Sequence, residues 1–566
     1  MTYPLSRLAA ITRSPAGDAG NRRFLGGLRV GTWFAGLLVA APLFSLVIVA
    51  FSETDSVLAH TFSVTLPITA HDSVLLLAGV GLTATILGLT TAWMIALFEF
   101  PGRKLVAVAL ALPLAMPTYL VAYIYVALLD SSGPFQTMLR DWFGTEWFPT
   151  GHASFVRTLP GAALIMGVVL FPYIYLPVQS AIARQGANLI DAARLLGSSP
   201  KRVFKTVILP LSRPALALGL TLVLLETLND IGASDYLGVQ TFTVSIYTTW
   251  LNRGSLSGAA QLALSLMVFV GILLYLEHRA RGNRRFAYQR QARLTPRRKL
   301  TGLTALAALF LCALPVTFGF VVPVLFLIVH TVERFGMTAS GIGLLRQLGS
   351  TLAYSSAATI CVVVVSLIVL VSGRFVRSRD VALSGKVAAF GYAVPGTVLA
   401  IGLLGPLAGF DNLIATLFRD LTHQRIGLIL MGSGAALVIA YTIRFLTIGL
   451  GGIGAGFGKA SPSLDDAARV LGRTPRGVFI EIHWPLLKPA IAVASVLVFI
   501  DAIKELPATL LLRPLNVETL ATHVYSEASR GLFENGAPAA LLIVLAGILP
   551  AIISMRLFDR SHGSRA

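Results

Sequence analysis

The chain has 566 residues, of which 55% are hydrophobic and 13% charged, with a formal net charge of +19 and a mean hydropathy of +0.78. Soluble domains carry about 25% charged residues, so a water-soluble monomer is excluded and a polytopic membrane protein is expected. The basic excess does not indicate nucleic acid, because it is confined to short stretches beside apolar runs. Arg7, Arg13, Arg22, Arg23 and Arg29 precede the first run, Arg279 to Lys299 crowd a mid-chain loop, and Arg374, Arg377 and Arg379 fill another.

A membrane span needs about 20 apolar residues. In chain order, spans are expected at 32–52, 74–98, 105–129, 160–182, 213–235 and 257–276, then at 303–330, 348–372, 387–405, 426–449, 488–512 and 536–555. The predicted fold is therefore all-α and polytopic, with about twelve transmembrane helices in two six-helix repeats. The division is a segment 1–31, a first transmembrane domain 32–276, a basic linker 277–301, a second domain 302–556 and a tail 557–566. The first span reads as a retained anchor, since no small-residue cleavage site follows it.

Basic loops mark the cytoplasmic side. Both termini, Pro101–Lys104, 183–212, the linker, Arg374–Arg379 and 451–487 are then expected inside, and loops 53–72 and 130–158 outside. Six spans per half is an even number, so the halves enter the membrane in the same sense, as parallel repeats do. Pro117 and Pro395 fall at matching places in the third span of each half. Each is expected to kink its helix, and the kink serves either packing or the pathway.

The duplication is plainest in a polar segment. Asp191-Ala192-Ala193-Arg-Leu-Leu-Gly197-Ser-Ser-Pro200 recurs as Asp466-Ala467-Ala468-Arg-Val-Leu-Gly472-Arg-Thr-Pro475, 275 residues later (466 − 191). An acid suits a helix start, two alanines let another backbone approach, a glycine permits a helix-ending turn, and a proline suits the next helix's first position. Two short helices joined at a glycine make a compact knob fit for a groove in a soluble partner. The alternative is an ordinary amphipathic connector, which gives no reason for duplication at matching topological positions.

This segment, continued by Ile208-Leu209-Pro210 and by His483-Trp484-Pro485, resembles the Glu-Ala-Ala loop of bacterial importer permeases of the ATP-binding-cassette class. Asp replaces Glu in both copies, and Trp484 stands where Leu is usual. The resemblance spans nearly the whole chain, as two permease domains fused. It implies coupling helices at Asp191, Ala192, Ala193, Gly197 and Pro200 and at Asp466, Ala467, Ala468, Gly472 and Pro475. It also implies two copies of a separate ATPase subunit, a periplasmic substrate-binding protein and residence in the bilayer of the inner membrane. The chain itself is expected to be no enzyme and to need no cofactor. Gly456-Phe-Gly458-Lys459-Ala460 lacks the leading glycine and hydroxyl residue of a phosphate-binding loop.

Ionisable groups within spans are costly and usually functional. Glu226, Asn229 and Asp230 in the fifth span align with Asp501, Lys504 and Glu505, and Arg513 lies just beyond. Acids four residues apart share a helical face, so each half is expected to project an acidic pair in one direction. Two readings stay open: a lining for the translocation path, or an ion-pair network that stabilises packing or a broken helix. Val239–Tyr247 and Val517–Tyr525 form a second duplicated pair near the outer face, offset by 278 (519 − 241). They either gate the path, meet the delivery protein, or place tyrosines in an interfacial belt.

Lys504-Glu-Leu-Pro-Ala-Thr-Leu-Leu-Leu-Arg-Pro514 and Glu226-Thr-Leu-Asn-Asp-Ile-Gly232 look like segments of ferric-iron permeases, which implies iron(III) as cargo. Permeases for phosphonate, thiamine, polyamine or oxyanions are the alternatives, with an ion-gradient-driven carrier behind them. His60, His71, His152, His423 and His523 are scattered without ligand spacing, so no metal site is expected from histidines.

Overall fold

The structure, a computed structural model, describes residues 15–563 except 53–54, 131–132, 145–154, 186–192, 194, 282–296, 338–340, 377, 392–393 and 425. In the first half the helices are α1 (Pro15–Ala50), α2 (Leu66–Leu97), α3 (Arg103–Ala109), α4 (Thr118–Leu129), α5 (Leu159–Leu170), α6 (Pro172–Gln185), α7 (Leu209–Asn229), α8 (Ile231–Tyr236), α9 (Phe242–Leu251) and α10 (Leu256–Arg281). In the second half they are α11 (Gly302–Val316), α12 (Val322–Met337), α13 (Gly341–Phe375), α14 (Arg379–Ala388), α15 (Gly396–Thr422), α16 (Ala435–Phe457), α17 (Pro462–Val470), α18 (Trp484–Ile503), α19 (Pro507–Leu512), α20 (Leu520–Ser529) and α21 (Phe533–Gly563).

Among the described residues, nine helices are long and apolar enough to cross a membrane, and two pairs bent by more than 40° raise the count to eleven. The shorter apolar stretch Phe533–Ile548 takes the place of the twelfth. Every expected span thus holds a helix, and the protein is an all-α polytopic membrane protein with a duplicated repeat.

The departures are at prolines and polar residues. Pro117 and Pro395 do not kink continuous helices. Each is the residue before a helix, with ψ of 137° and 148°, and α4 and α15 begin after them. The ninth span accordingly starts at Gly396 rather than 387, and Arg379–Ala388 is a separate helix. A proline disfavours helical backbone in the residue before it, so the chain turns there.

Four π-helical turns, Thr61–Thr65, Phe204–Ile208, Thr317–Val321 and Phe479–His483, each end just before Pro67, Pro210, Pro323 or Pro485. A proline clashes with the carbonyl four residues back, which in every case lies inside the widened turn. The π-turn removes the clash without breaking the helix.

The chain forms two compact units that are not its sequence halves. One comprises Met1–Phe44, Tyr354–Val394 and Val438–Ala502. Its core is Val371, Ile453, Phe457, Leu487 and Ala494, against which Phe24 and Leu28 of α1 pack. Arg29 Nε and Trp33 Nε1 both donate to Asp380 Oδ2 at 2.9 Å. The first span therefore packs with elements of the second half.

The other unit comprises Ser45–Ala353, Pro395–Leu437 and Ile503–Ala566. Here α2 lies among α5, α6 and α7, α11 packs on α2 and α3, and α12 packs on α21. The start of the second half is thus built onto the first. Two two-residue strands, Phe98–Glu99 and Arg298–Lys299, pair in parallel and fasten the end of the linker, with Glu99 3.7 Å from both Arg103 and Arg297.

Candidate functional site

Two duplicated features converge on function: the polar knobs and the breaks in the fifth spans. In the second knob, α17 is opened by Ser461, whose side chain accepts from Ser463 N, with Pro462 at the first position. This corrects the expectation that Asp466 starts the helix. Asp466 is an exposed mid-helix residue paired with Arg469 at 3.3 Å. The helix ends as expected. Gly472 has φ +78°, and Arg473 N bonds back to Ala468 O at 2.9 Å. That six-to-one bond closes a Schellman turn, which requires left-handed backbone. Thr474 then caps a short helix beginning at Pro475 by accepting from Gly477 N at 3.2 Å.

The first knob repeats this geometry 275 residues earlier: Gly197 has φ +76° and Ser198 N bonds Ala193 O at 3.0 Å. Pro200 opens the helix Pro200–Val203. Asp191 and Ala192 lie outside the described residues. Both turns hold an apolar pair out to solvent, Leu195 and Leu196 at 89% and 86% exposure and Val470 and Leu471 at 86% and 80%. Ala467 is exposed beside the second pair, and Ala468 is buried. The two copies thus present an apolar pair at the same place.

The second knob carries a polar lock that the sequence reading missed. Arg374, in the last turn of α13, donates from Nε to Asp465 Oδ2 at 2.6 Å and from Nη2 to Ala460 O at 3.1 Å. His483 Nε2 meets Asp465 Oδ1 at 2.8 Å, and its fully buried ring lies against Phe375 and Phe457. The knob, the π-turn and α13 are thereby tied together. The positions 275 residues earlier are Ile190 and Ile208, so the first knob lacks these groups. An acid three residues after Pro462 and a histidine inside an apolar run were the available signals.

The fifth spans break where their charges are. Helix α7 ends at Asn229, and Asp230 caps α8 by accepting from Ala233 N at 2.8 Å. At the same offset, Glu505 Oε1 accepts from Ala508 N at 3.0 Å and opens α19. Both carboxylates are buried. The two acids of each half therefore do not share one helical face. Glu226 and Asp501 end the first helix of their spans, and Asp230 and Glu505 serve the next. Of the two readings left open, stabilisation of a broken helix describes Asp230 and Glu505. Lys504 is half-buried at the second break, and Arg513 donates to Val517 O at 2.9 Å, stapling the turn after α19.

The first break is also clamped from the third spans. Thr118, the first residue of α4, donates to Asp230 Oδ2, and Gly396, the first residue of α15, donates to Asn229 Oδ1 at 2.9 Å. A methyl group on Gly232 would lie 2.7 Å from Tyr119 Cβ and 2.8 Å from Leu506 Cδ2, so only glycine fits at this crossing. The duplicated outer segments keep their own matched bonds. Phe242 N donates to Ser73 Oγ at 3.2 Å, and Leu520 N donates to Thr351 Oγ1 at 2.9 Å, both pairs 278 residues apart.

Residues 84–282 match the family described as "Binding-protein-dependent transport system inner membrane component". The Fe(3+)-transport system permease protein FbpB 2 of Haemophilus influenzae is 25% identical over 494 residues, which cover 85% of this chain and 88% of that protein. The molybdenum transport system permease protein ModB of Escherichia coli is 32% identical over 195 residues, 33% of this chain and 82% of its own. The putative 2-aminoethylphosphonate transport system permease protein PhnU of Salmonella typhimurium is 28% identical over 182 residues, 32% of this chain and 63% of its own.

Proposed function

Because this chain belongs to the inner-membrane permease family of binding-protein-dependent, ATP-binding-cassette transport systems, we propose that it imports iron(III), handed over by a periplasmic binding protein. It is driven by two copies of an ATPase subunit seated on the knobs at 191–200 and 466–475. The observation that carries the coupling assignment is the pair of Schellman turns, each holding out two apolar side chains at one sequence offset. Iron is supported by the FbpB 2 likeness, which runs through both halves. An oxyanion of molybdenum is the second reading, favoured by the ModB likeness over a third of the chain.

The cycle is alternating access. Nucleotide closes the two ATPases on each other and carries the knobs with them, with the termini and knobs on the cytoplasmic side. To move the cavity, the ATPase must contact the knobs differently in its open and closed forms, because only a differential affinity shifts an equilibrium. At the second knob, Arg374 and His483 pass displacement of α17 to α13 and the base of α18. Asp230 and Glu505 hold the breaks that let each fifth span bend as two rigid pieces.

The test is Gly197→Val and Gly472→Val. No atom crowds either glycine, so the substitution acts only through the left-handed backbone, at roughly 1–2 kcal/mol each. Co-purification of the ATPase and ATP-dependent uptake should both fall, further in the double variant. Full assembly and uptake in the double variant would overturn the coupling assignment.

A further inference from the structure

Iron(III) is a hard cation that takes anionic oxygen ligands, phenolates and carboxylates above all. No group of three or more His, Cys, Asp or Glu side chains that could hold a metal gathers among the described residues. Phenols do gather. Tyr525 of α20 donates to Asp235 Oδ2 of α8 at 2.9 Å. Its ring meets that of Tyr247, of α9, edge-on with centroids 6.5 Å apart. Tyr247 and Tyr525 are counterparts in the duplicated outer segments, 278 residues apart. Asp235 is exposed and both rings are half-buried, so the group opens to solvent.

A second observation points at the same place. Tyr123 is fully buried, and its hydroxyl has no hydrogen-bond partner among the described residues. Its ring centroid lies 4.6 Å from that of Tyr236, the neighbour of Asp235 in α8. Burying a phenol hydroxyl without a partner costs about 1–3 kcal/mol, which packing alone does not require, since phenylalanine would fill the ring's volume. Two other buried tyrosines are satisfied: Tyr125 donates to Phe318 O at 2.6 Å and Tyr175 to Ala107 O at 2.8 Å.

We propose that Tyr247, Tyr525 and Asp235 form an oxygen-ligand site that meets iron(III) during passage, with the Tyr123 hydroxyl behind it. On binding, each coordinating phenol releases its proton to water and gains an iron–oxygen bond. Iron stays trivalent, so no reductant is needed. This inference rests on the iron reading of the cargo.

The experiment adds iron(III) nitrilotriacetate to the full-length permease purified with its ATPase subunits and follows the visible phenolate-to-iron charge-transfer band. In parallel, vesicles carrying the whole transporter take up radiolabelled iron from the loaded binding protein. The wild-type complex should show the band. The Tyr247→Phe/Tyr525→Phe variant should lose it, with iron affinity weakened roughly 10–100-fold, while uptake falls and stimulation of ATPase activity by the binding protein persists. Tyr125→Phe, outside the group, should leave band and uptake unchanged. If wild-type vesicles take up iron but the band is absent, or the double variant keeps both, this site is refuted and the iron reading stands. If the band disappears equally in Tyr125→Phe, the iron is held elsewhere and the site is refuted. If the binding protein stimulates ATPase activity but no iron enters, the cargo assignment falls, and this inference falls with it.

Discussion

Replacing Arg374 by methionine should release the second knob while leaving the first intact. Asp465 has only 7% of its side chain exposed, and its two strong partners are Arg374 at 2.6 Å and the buried His483 at 2.8 Å. Removing one partner of a buried pair costs about 3–5 kcal/mol, because a charge is left without compensation. The Arg374 side chain is 22% exposed, and water reaching the vacated space would solvate Asp465 in part, so the lower end, about 3 kcal/mol, applies. At 1.4 kcal/mol per decade, the equilibrium between locked and released α17 moves roughly 100-fold. Hydrogen exchange reads this directly. The amides of Leu471, Gly472 and Arg473, bonded to Ala467, Arg469 and Ala468, should lose about two decades of protection. The matching amide of Ser198 should lose none. Replacing Asp465 by leucine in the same variant should restore only part of the protection, since the stranded charge is removed but the buried His483 Nε2 loses its partner. Unchanged exchange in Arg374→Met, or equal loss in both knobs, would refute the lock.

Three further outcomes follow from the breaks and the crossing. Asp230→Ala and Glu505→Ala should each lower the complex's stability by about 0.5–2 kcal/mol through loss of a helix cap, seen as a lower unfolding midpoint in detergent. Asp230→Asn keeps the cap and should keep uptake near wild type; abolished uptake with unchanged stability would instead make the charge itself part of the path. Gly232→Ala forces a methyl group against Tyr119 and Leu506 and should cost about 1–3 kcal/mol, measured the same way, whereas Gly238→Ala, uncrowded, should show only the backbone cost of its positive φ.

The number of spans and the two knobs were legible because both are written in local pattern: apolar runs of membrane length, and a glycine followed by a proline at fixed spacing. What escaped was decided by competition between neighbours. Asp466 read as a helix start, but Ser461-Pro462 five residues earlier offers a hydroxyl cap and a proline at the first position, and that pair wins. A broken helix is one of the open readings of the fifth spans, but Glu226 to Gly232 contains no proline to place the break. Asp230 nevertheless ends α7, since a buried carboxylate gains more by accepting the Ala233 amide than by lying unsatisfied on a helix. The alternation of helix and π-turn upstream of Pro67, Pro210, Pro323 and Pro485 could have been read, as a proline's clash distance is fixed. No local signal announces that α1 packs with the second half and α11 with the first. Likewise, the lock and the tyrosine group join residues 91 and 290 positions apart, beyond any periodicity.

This permease should move cargo only when a motor holds its two knobs. The direct measurement is radiolabelled iron uptake into vesicles containing the purified permease alone, compared with vesicles that also hold the ATPase subunits, both with loaded binding protein outside and ATP within. Uptake confined to the ATPase-bearing vesicles and dependent on ATP is the predicted result. Equal uptake by the permease alone would contradict the account.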